Sequence, residues 1–147
     1  MLFRSNRALE IRPSYAGGWV TKGRILGFMG RHDEALQAMD MALKLRPGDS
    51  HTLVHKGEIL AAMGRSADAL RTLDESLKME PKNVYAIACR AAILQAMGQH
   101  KDALKAFNEA LKLAPNHVDV MFSKALALAN MGNYEEAYRT LDRKSVV

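Results

Sequence analysis

The side chains with the greatest capacity for chemistry are two histidines and the single cysteine. His51 and His55 are four residues apart, a spacing that puts two side chains on one helix face, and Cys89 follows His55 by 34 residues. Two imidazoles and a thiolate are zinc ligands, but a zinc site needs a complete ligand set and no fourth ligand is fixed by the pattern. We therefore expect no metal site and no cofactor, and we interpret the three residues as ordinary surface side chains.

A basic side chain also recurs every 34 residues, at Lys22, Lys56, Arg90 and Lys124. Such a row is a candidate ladder for the phosphates of RNA. The structural alternative is pairing with a polar side chain 16 residues earlier: Lys56 with Asp40, Arg90 with Asp74, and Lys124 with Asn108. We favour the structural interpretation and expect no nucleic-acid partner. Of the net charge of +5, residues 1–13 contribute +2 and residues 142–147 contribute +1, which leaves the body close to neutral.

Sequence motifs of enzymes are absent. The chain contains no GxSxG, no HExxH, no phosphate-binding P-loop and no GxGxxG. Its apolar runs are too short to span a bilayer, and we expect no membrane partner. The sequence therefore predicts a protein that is not an enzyme, and we expect it in the cytoplasm.

The elements that position these side chains follow from the four prolines, each 34 residues after the last: Pro13, Pro47, Pro81 and Pro115. A fixed period of this size indicates a repeat architecture. Within each period, apolar residues recur at helical spacing on both sides of a glycine such as Gly64. This predicts first helices near 15–29, 49–63, 83–97 and 117–131, and second helices near 33–45, 67–79, 101–113 and 135–143.

Charged rows find structural explanations in these helices. Acidic residues recur in the first turn of each second helix, where free amide groups favour an anion: Glu34, Asp68, Asp102 and Glu136. Lysines recur in the last turn, where carbonyl groups favour a cation: Lys44, Lys78 and Lys112. We expect these rows to stabilise helix ends rather than to form a catalytic carboxylate series.

Small and flexible residues recur as well. We expect two rows to let the helices of a pair approach closely: Ala35, Ala69, Ala103 and Ala137, and Gly23, Gly57, Ala91 and Ala125. A methionine precedes each turn glycine, at Met29, Met63, Met97 and Met131. We expect these methionines to fill gaps in the core.

The 34-residue unit with its alanine and terminal proline resembles the tetratricopeptide repeat (TPR). Its first copy carries the resemblance at Trp19, Gly23, Leu26, Gly30, Ala35, Met39, Ala42 and Pro47. The resemblance implies an all-α, right-handed superhelical solenoid of helix-turn-helix units. The expected organisation is a partial repeat over 1–13, with a second helix only, then units over 14–47, 48–81, 82–115 and 116–147, the last with a truncated helix.

The TPR resemblance also implies a protein-protein interaction scaffold that binds a peptide or helix in a concave groove lined by the first helices. The matching positions give the candidate residues Val20, Arg24, Phe28, His51, Val54, His55, Glu58, Tyr85, Ala88, Cys89, Phe122 and Asn130. This surface suits a partly hydrophobic extended peptide or an amphipathic helix. The cation and asparagine clamp of chaperone-binding TPR domains is absent from the matching positions, so we do not expect a chaperone co-factor.

The ends of the chain are out of phase with the repeat. Residues 142–147 match one translation of a common sequencing adapter, and we expect the chain to be a fragment of a longer one. Uncapped end faces predict possible self-association. Two alternative functions stay open here: an RNA-binding helical-repeat array, and an accessory region of a larger enzyme.

Overall fold

A computed structural model describes residues 1–12 and 14–142, and these residues form nine α-helices. The helices are α1 (Leu2–Ile11), α2 (Ala16–Phe28), α3 (His32–Leu45), α4 (Ser50–Ala62), α5 (Ser66–Met79), α6 (Val84–Ala96), α7 (His100–Leu113), α8 (Val118–Asn130) and α9 (Tyr134–Leu141). The predicted helices of the four periods agree with α2–α9 to within two residues at each end. The adapter hypothesis depends on residues 142–147, of which 143–147 lie outside the described residues.

The helices divide into two units, Met1–Pro81 with α1–α5 and Lys82–Val147 with α6–α9. In the first unit α2 packs against α3 and α4 against α5, while α1 lies against α2 and α3 against α4. In the second unit α6 packs against α7, α7 against α8, and α8 against α9. The first helices also touch directly, α2 with α4 and α6 with α8. The predicted all-α class is confirmed.

Each helix pair is joined by a glycine turn. In the first pair the Gly30 amide donates to the Gly27 carbonyl at 3.0 Å and the Arg31 amide donates to the Leu26 carbonyl at 2.9 Å. Gly30 has a φ of +74°, which a side chain would strain. The same left-handed glycine follows α4, α6 and α8. The turn glycine therefore ends each first helix and reverses the chain.

Close packing within each pair depends on the two rows of small residues, as expected. Ala35, Ala69 and Ala103 have no exposed surface, and a Cβ atom added to Gly23 would lie 2.8 Å from the Met39 Cε atom and 3.1 Å from the Ala35 carbonyl oxygen. At the equivalent Gly57, it would lie 3.0 Å from the Leu73 Cγ atom. In these two pairs the helices therefore approach until only a hydrogen atom fits between them at the glycine, whereas α6 and α8 carry Ala91 and Ala125 at the equivalent positions.

The expectation that the methionine row fills the core is wrong for three of its four members. Met29 is 55% exposed, Met97 42% and Met131 43%, whereas Met63 is partly buried against a core cluster that includes Leu26. Each methionine is the residue immediately after its helix and precedes the left-handed glycine. The side chain therefore lies at the edge of the helix pair, where the chain has begun to turn away from the core.

A buried polar pair connects α4 to α5. The Ser50 and Ser76 hydroxyl oxygens are 2.8 Å apart, and the Ser76 hydroxyl also donates to the Ser50 carbonyl at 3.1 Å. Both residues are almost fully buried, at 3% and 0% exposed. The two hydroxyls thus satisfy each other's hydrogen-bonding capacity. At the positions equivalent to Ser76, α3 and α7 carry alanine (Ala42 and Ala110).

Charged residues lie at the helix ends as the repeat pattern predicts. Asp33 and Glu34 occupy the first turn of α3, and Asp68 and Asp102 the first turns of α5 and α7. Lysines lie in the last turns of α3, α5 and α7. In the described part of the chain, none of the helices has the length and apolar character needed to cross a membrane.

Candidate functional site

The candidate residues lie on the first helices of the two units. We call the outward side chains of α2 and α4 the unit 1 face, and those of α6 and α8 the unit 2 face. On α2 the candidates recur every four residues, and on α4, α6 and α8 they lie at intervals of one, three or eight residues, which places them on one broad side of each helix. The direct contacts of α2 with α4 and of α6 with α8 make each face continuous across two helices.

The unit 1 face carries an exposed aromatic ring and basic side chains. Val20, Arg24 and Phe28 follow one another at intervals of four along α2, and Phe28 is 85% exposed. Val20 is half-buried and Arg24 is exposed, as is His51 on the neighbouring α4. This face therefore combines an apolar anchor with donors that can pair with an acidic group.

Two further α4 candidates are already paired with each other. The His55 Nδ1 atom lies 2.9 Å from the Glu58 Oε2 atom, and both side chains are partly exposed. This contact leaves the Glu58 charge partly satisfied and orients the His55 ring. The pair lies on the surface, where such interactions contribute about 0–1 kcal/mol to stability, so it remains open to rearrangement when a ligand binds.

Val54 does not belong to the exposed surface. The side chain is 1% exposed and is among the largest fully buried side chains. Position 54 lies beside the outward row of α4 side chains. Because Val54 comes three residues after His51, its side chain points about 60° away from that row, towards the buried side of the helix. The expectation that Val54 contacts a ligand directly is therefore wrong, because its side chain is buried.

The unit 2 face is more apolar. Tyr85 is 48% exposed, Phe122 60% and Leu126 50%, and Ala88 is half-buried between the outward positions of α6. Cys89 is also half-buried, and Asn130 is exposed at the end of α8. These side chains offer two aromatic rings and an aliphatic group with a polar residue at one end.

The histidines do not form a metal centre. Among the described residues, no group of three or more histidine, cysteine, aspartate or glutamate side chains has the proximity to hold a metal ion. His51 is exposed, and His55 uses one ring nitrogen for its contact with Glu58.

The basic row has structural partners in the first unit. The Lys56 Nζ atom lies 2.8 Å from the Asp40 Oδ1 atom, which confirms the predicted pair. The Lys22 ammonium lies 5.2 Å from the centre of the Trp19 ring, a cation–π contact that the spacing did not predict. The aromatic residue three positions earlier on the same helix is the signal that could have revealed it.

Arginine–carboxylate pairs lie at the starts of second helices. Arg31 donates to both Glu34 carboxylate oxygens at 2.7 Å, and these hydrogen bonds lower the pKa of Glu34 and raise that of Arg31. Arg65 and Arg71 both donate to Asp68, and their hydrogen bonds lower its pKa. The carboxylates that the sequence assigned to helix ends are therefore also held by neighbouring cations.

Sequence reasoning did not anticipate the exposed methionines beside these faces. Met29 follows Phe28 directly, and Met131 follows Asn130. Thioether side chains adapt their shape to a partner and are frequent on surfaces that bind varied ligands. Their position immediately before a turn glycine was the available signal, because a residue just past a helix end seldom faces inward.

Comparison with known proteins finds a family match and several similar structures. The tetratricopeptide repeat pattern matches residues 29–93 and 94–143. No curated protein matches the chain.

Solved structures resemble the chain at low sequence identity. TTC0263, a thermophilic TPR protein in Thermus thermophilus, has a TM-score of 0.87 and 18% identity, over 99% of this chain and 79% of that one. YrrB, a TPR protein with an unusual peptide-binding site, has a TM-score of 0.70 and 22% identity, over 96% and 73% of the two chains. The first TPR of Spaghetti (RPAP3), bound to the HSP90 peptide SRMEEVD, has a TM-score of 0.72 and 17% identity, over 80% and 93%.

These similarities agree with the helix pairs, the glycine turns and the rows of small residues described above. The family pattern extends over most of the chain, from the end of α2 to the end of α9. The chain belongs to the tetratricopeptide repeat family.

Proposed function

We propose that this chain is a protein-protein interaction scaffold whose first-helix faces bind a peptide or a helix of a partner protein. The observation that carries the proposal is the exposure of large apolar side chains on these faces, Phe28 at 85% and Phe122 at 60%. Rings held in water on regular helices are favourable anchors, since covering them removes apolar surface from water.

The two faces favour different kinds of side chain. On the unit 1 face Arg24 lies one turn before Phe28 on α2, and His51 lies at the start of α4, so this face suits a ligand that carries both an apolar and an acidic residue. Tyr85, Phe122 and Leu126 make the unit 2 face more apolar, so it suits an aliphatic or aromatic side chain. A partly hydrophobic peptide with an acidic residue is therefore the class of ligand that we propose.

The relatives support a peptide ligand. The YrrB structure is described as having an unusual peptide-binding site, and the RPAP3 repeat was solved with an HSP90 peptide. Members of the family are generally protein-binding and typically non-catalytic, which agrees with a scaffold role for this chain. The partner itself is proposed here only by its chemistry.

The RNA-binding alternative has less support. Lys56 is engaged by Asp40 at 2.8 Å, and Lys22 lies over the Trp19 ring, so two members of the basic row already have intramolecular contacts. RNA binding would weaken steeply as salt is raised, because it depends on the release of counterions. A salt titration with a single-stranded RNA oligonucleotide therefore separates this alternative from peptide binding.

The test uses peptides selected from a random phage-displayed library against the whole chain. We expect Phe28→Ala or Phe122→Ala to weaken the selected peptides at least tenfold, because each removes an exposed anchor from a first-helix face. Phe3→Ala and Tyr138→Ala are the matched controls, since Phe3 is 75% and Tyr138 74% exposed on other helices. Affinities are measured by fluorescence anisotropy, and folding by circular dichroism.

Selected peptides that retain full affinity for both face variants would overturn the proposal. So would peptides that lose affinity only with Phe3→Ala or Tyr138→Ala, because their binding site would then lie on α1 or α9. Failure of the library to yield any peptide with saturable binding would equally contradict it.

A further inference from the structure

The first unit contains a cleft that is separate from the candidate peptide site. The cleft has a volume of about 370 Å³ and lies between α3, α4 and α5. From α4 it is lined by Leu53, Lys56 and Leu60, whereas the unit 1 face uses His51 and His55. At about 100° per residue, these two sets point to opposite sides of α4. A ligand in the cleft would therefore leave the unit 1 face free.

Two arginines converge at one end of the cleft. Arg65 Nε lies 2.9 Å from Asp68 Oδ2, and Arg71 donates to the other oxygen of the same carboxylate. The two guanidinium groups thus share a single negative charge, and their side chains are 51% and 78% exposed. Each guanidinium carries five N–H donors, so most of these donors face the cleft or solvent.

This double arginine is not a general feature of the repeat. The equivalent pairs in the other repeats are Arg31 with Gln37, Gln99 with Lys105, and Asn133 with Arg139. Only the repeat around α5 has arginine at both positions. A helix-end role explains one cation beside the carboxylate, as at Arg31 and Glu34, but not a second guanidinium on the same group.

The rest of the cleft sets where a ligand would lie. Lys56 is held by Asp40 at 2.8 Å on the wall opposite α5. Glu75, one helical turn beyond Arg71, has no ion-pair partner among the described residues and repels an anion at that end. Leu36 supplies a partly buried apolar patch on α3. An anion is therefore favoured beside the arginines, and an apolar group beside Leu36 and Leu60.

We infer that this cleft binds an oxyanion, a carboxylate or a phosphate, that carries a small apolar group. The cleft has the size of a small-molecule or side-chain site. Guanidinium groups recognise both oxyanions through paired hydrogen bonds. In the absence of such a ligand, Asp68 accepts from part of each guanidinium and competes for its donors, and binding shifts the arginines from Asp68 to the incoming oxyanion. The inference does not depend on the proposed peptide function.

The experiment follows the Nε–Hε NMR signals of Arg65 and Arg71 in the whole chain during titrations. The carboxylate probe is N-acetyl-leucine, and its matched control is the neutral N-acetyl-leucinamide. Phenyl phosphate and inorganic phosphate distinguish the phosphate source and the contribution of the apolar group. We expect saturable shifts with N-acetyl-leucine or phenyl phosphate and none with the amide.

Three variants test the assignment. Arg65→Gln, which introduces the residue found at position 99, and Arg71→Gln should each weaken binding at least tenfold. Arg31→Gln is the matched control, because it breaks the equivalent arginine–carboxylate pair outside the cleft and should change affinity less than twofold. Asp68→Asn should strengthen binding at least threefold, because it removes the internal competitor.

The inference is overturned if neither oxyanion gives saturable shifts, or if the amide binds as well as the carboxylate. It is also overturned if Arg31→Gln weakens binding as much as the cleft variants, or if Asp68→Asn reduces affinity. Arg71 is the most exposed of these arginines, so Arg71→Gln keeps the test decisive if Arg65→Gln unfolds the chain. Failure here leaves the phage-library test of the first-helix faces unaffected.

Discussion

The buried Ser50–Ser76 pair allows the energetics of the core to be tested through a double-mutant cycle. Ser76→Ala removes both of its hydrogen bonds, at 2.8 and 3.1 Å, and leaves the Ser50 hydroxyl buried without a partner among the described residues. An orphaned hydroxyl costs about 1–3 kcal/mol. Ser50→Ala leaves Ser76 its bond to the Ser50 carbonyl, so the expected loss is smaller, about 0.5–1.5 kcal/mol.

The double variant gives the sharper result. With both hydroxyls gone, no side-chain polar group of the pair is left unsatisfied. The double variant then has the alanines of the first repeat, since Ala16 is equivalent to Ser50 and Ala42 is equivalent to Ser76. We expect its stability to lie within about 1 kcal/mol of the starting protein, and above that of Ser76→Ala. The free energy of unfolding is measured by urea denaturation followed at 222 nm.

The exposed Ser14 provides the control, since Ser14→Ala should change stability by less than about 0.5 kcal/mol. The reasoning is refuted if the double variant is as unstable as the sum of the two single variants. That result would mean that the two serines stabilise the helix pair independently, and that the hydrogen bond between their hydroxyls is not the source of the stabilisation.

Three further predictions concern helix ends, packing and charge. His117→Asn should stabilise the chain by about 1 kcal/mol in urea denaturation. His117 makes no side-chain cap to α8, whereas the equivalent Asn83 accepts a hydrogen bond from an α6 amide at 3.1 Å. Unchanged stability would contradict this prediction. Gly23→Ala should be less stable than Gly27→Ala by about 1–3 kcal/mol, since the methyl group at position 23 would lie 3.1 Å from the backbone oxygen of Ala35 and 2.8 Å from the tip of the buried Met39 side chain. At position 27 the nearest atom is the Ile59 Cγ1 atom at 3.6 Å, and equal stabilities would exclude crowding. The Asp68 carboxyl should titrate below its ordinary value in a carbon NMR pH series. Because the pKa of Asp68 is lowered in the folded chain, its contribution to folding stability is complete above the unfolded pKa of about 4 and is lost as the pH falls through the folded pKa. An ordinary titration midpoint for Asp68 would contradict the arginine contacts.

Much of the fold could be predicted because each repeated residue type has one dominant physical cause. The turn glycine before Arg31 needs a positive φ, and Gly23 lies where only a hydrogen atom fits, so both rows indicate their structural role directly. The Lys56–Asp40 pair followed from spacing alone, because the helix register places residues 16 apart on facing helices.

Other features depend on helix ends and side-chain directions, which the repeat pattern does not specify. Met29 was expected in the core because methionine is apolar, yet a single residue of helix length decides whether it faces inward or lies at the edge. Val54 was expected to contact a ligand because the TPR resemblance places it in the groove, yet it lies part of a turn away from the exposed positions of α4 and is buried. The Ser50–Ser76 pair involves two unrelated repeat positions, and only coordinates bring them together.

The candidate site was predictable as a set of positions but not as a surface. The resemblance to the TPR family supplied Phe28 and Phe122 as candidate positions, but it could not give their exposure or the contact between His55 and Glu58. The cleft beside Arg65 and Arg71 depends on three helices at once, so sequence spacing gave no indication of it.

The measurement that tests the central claim most directly is an NMR footprint of a library-selected peptide on the isotopically labelled chain. We expect the largest chemical-shift changes on the outward residues of α2 and α4 or on those of α6 and α8, with Phe28 or Phe122 among them. Changes confined to α3, α5, α7 or α9 would contradict it, because the peptide would then bind a surface other than the first-helix faces.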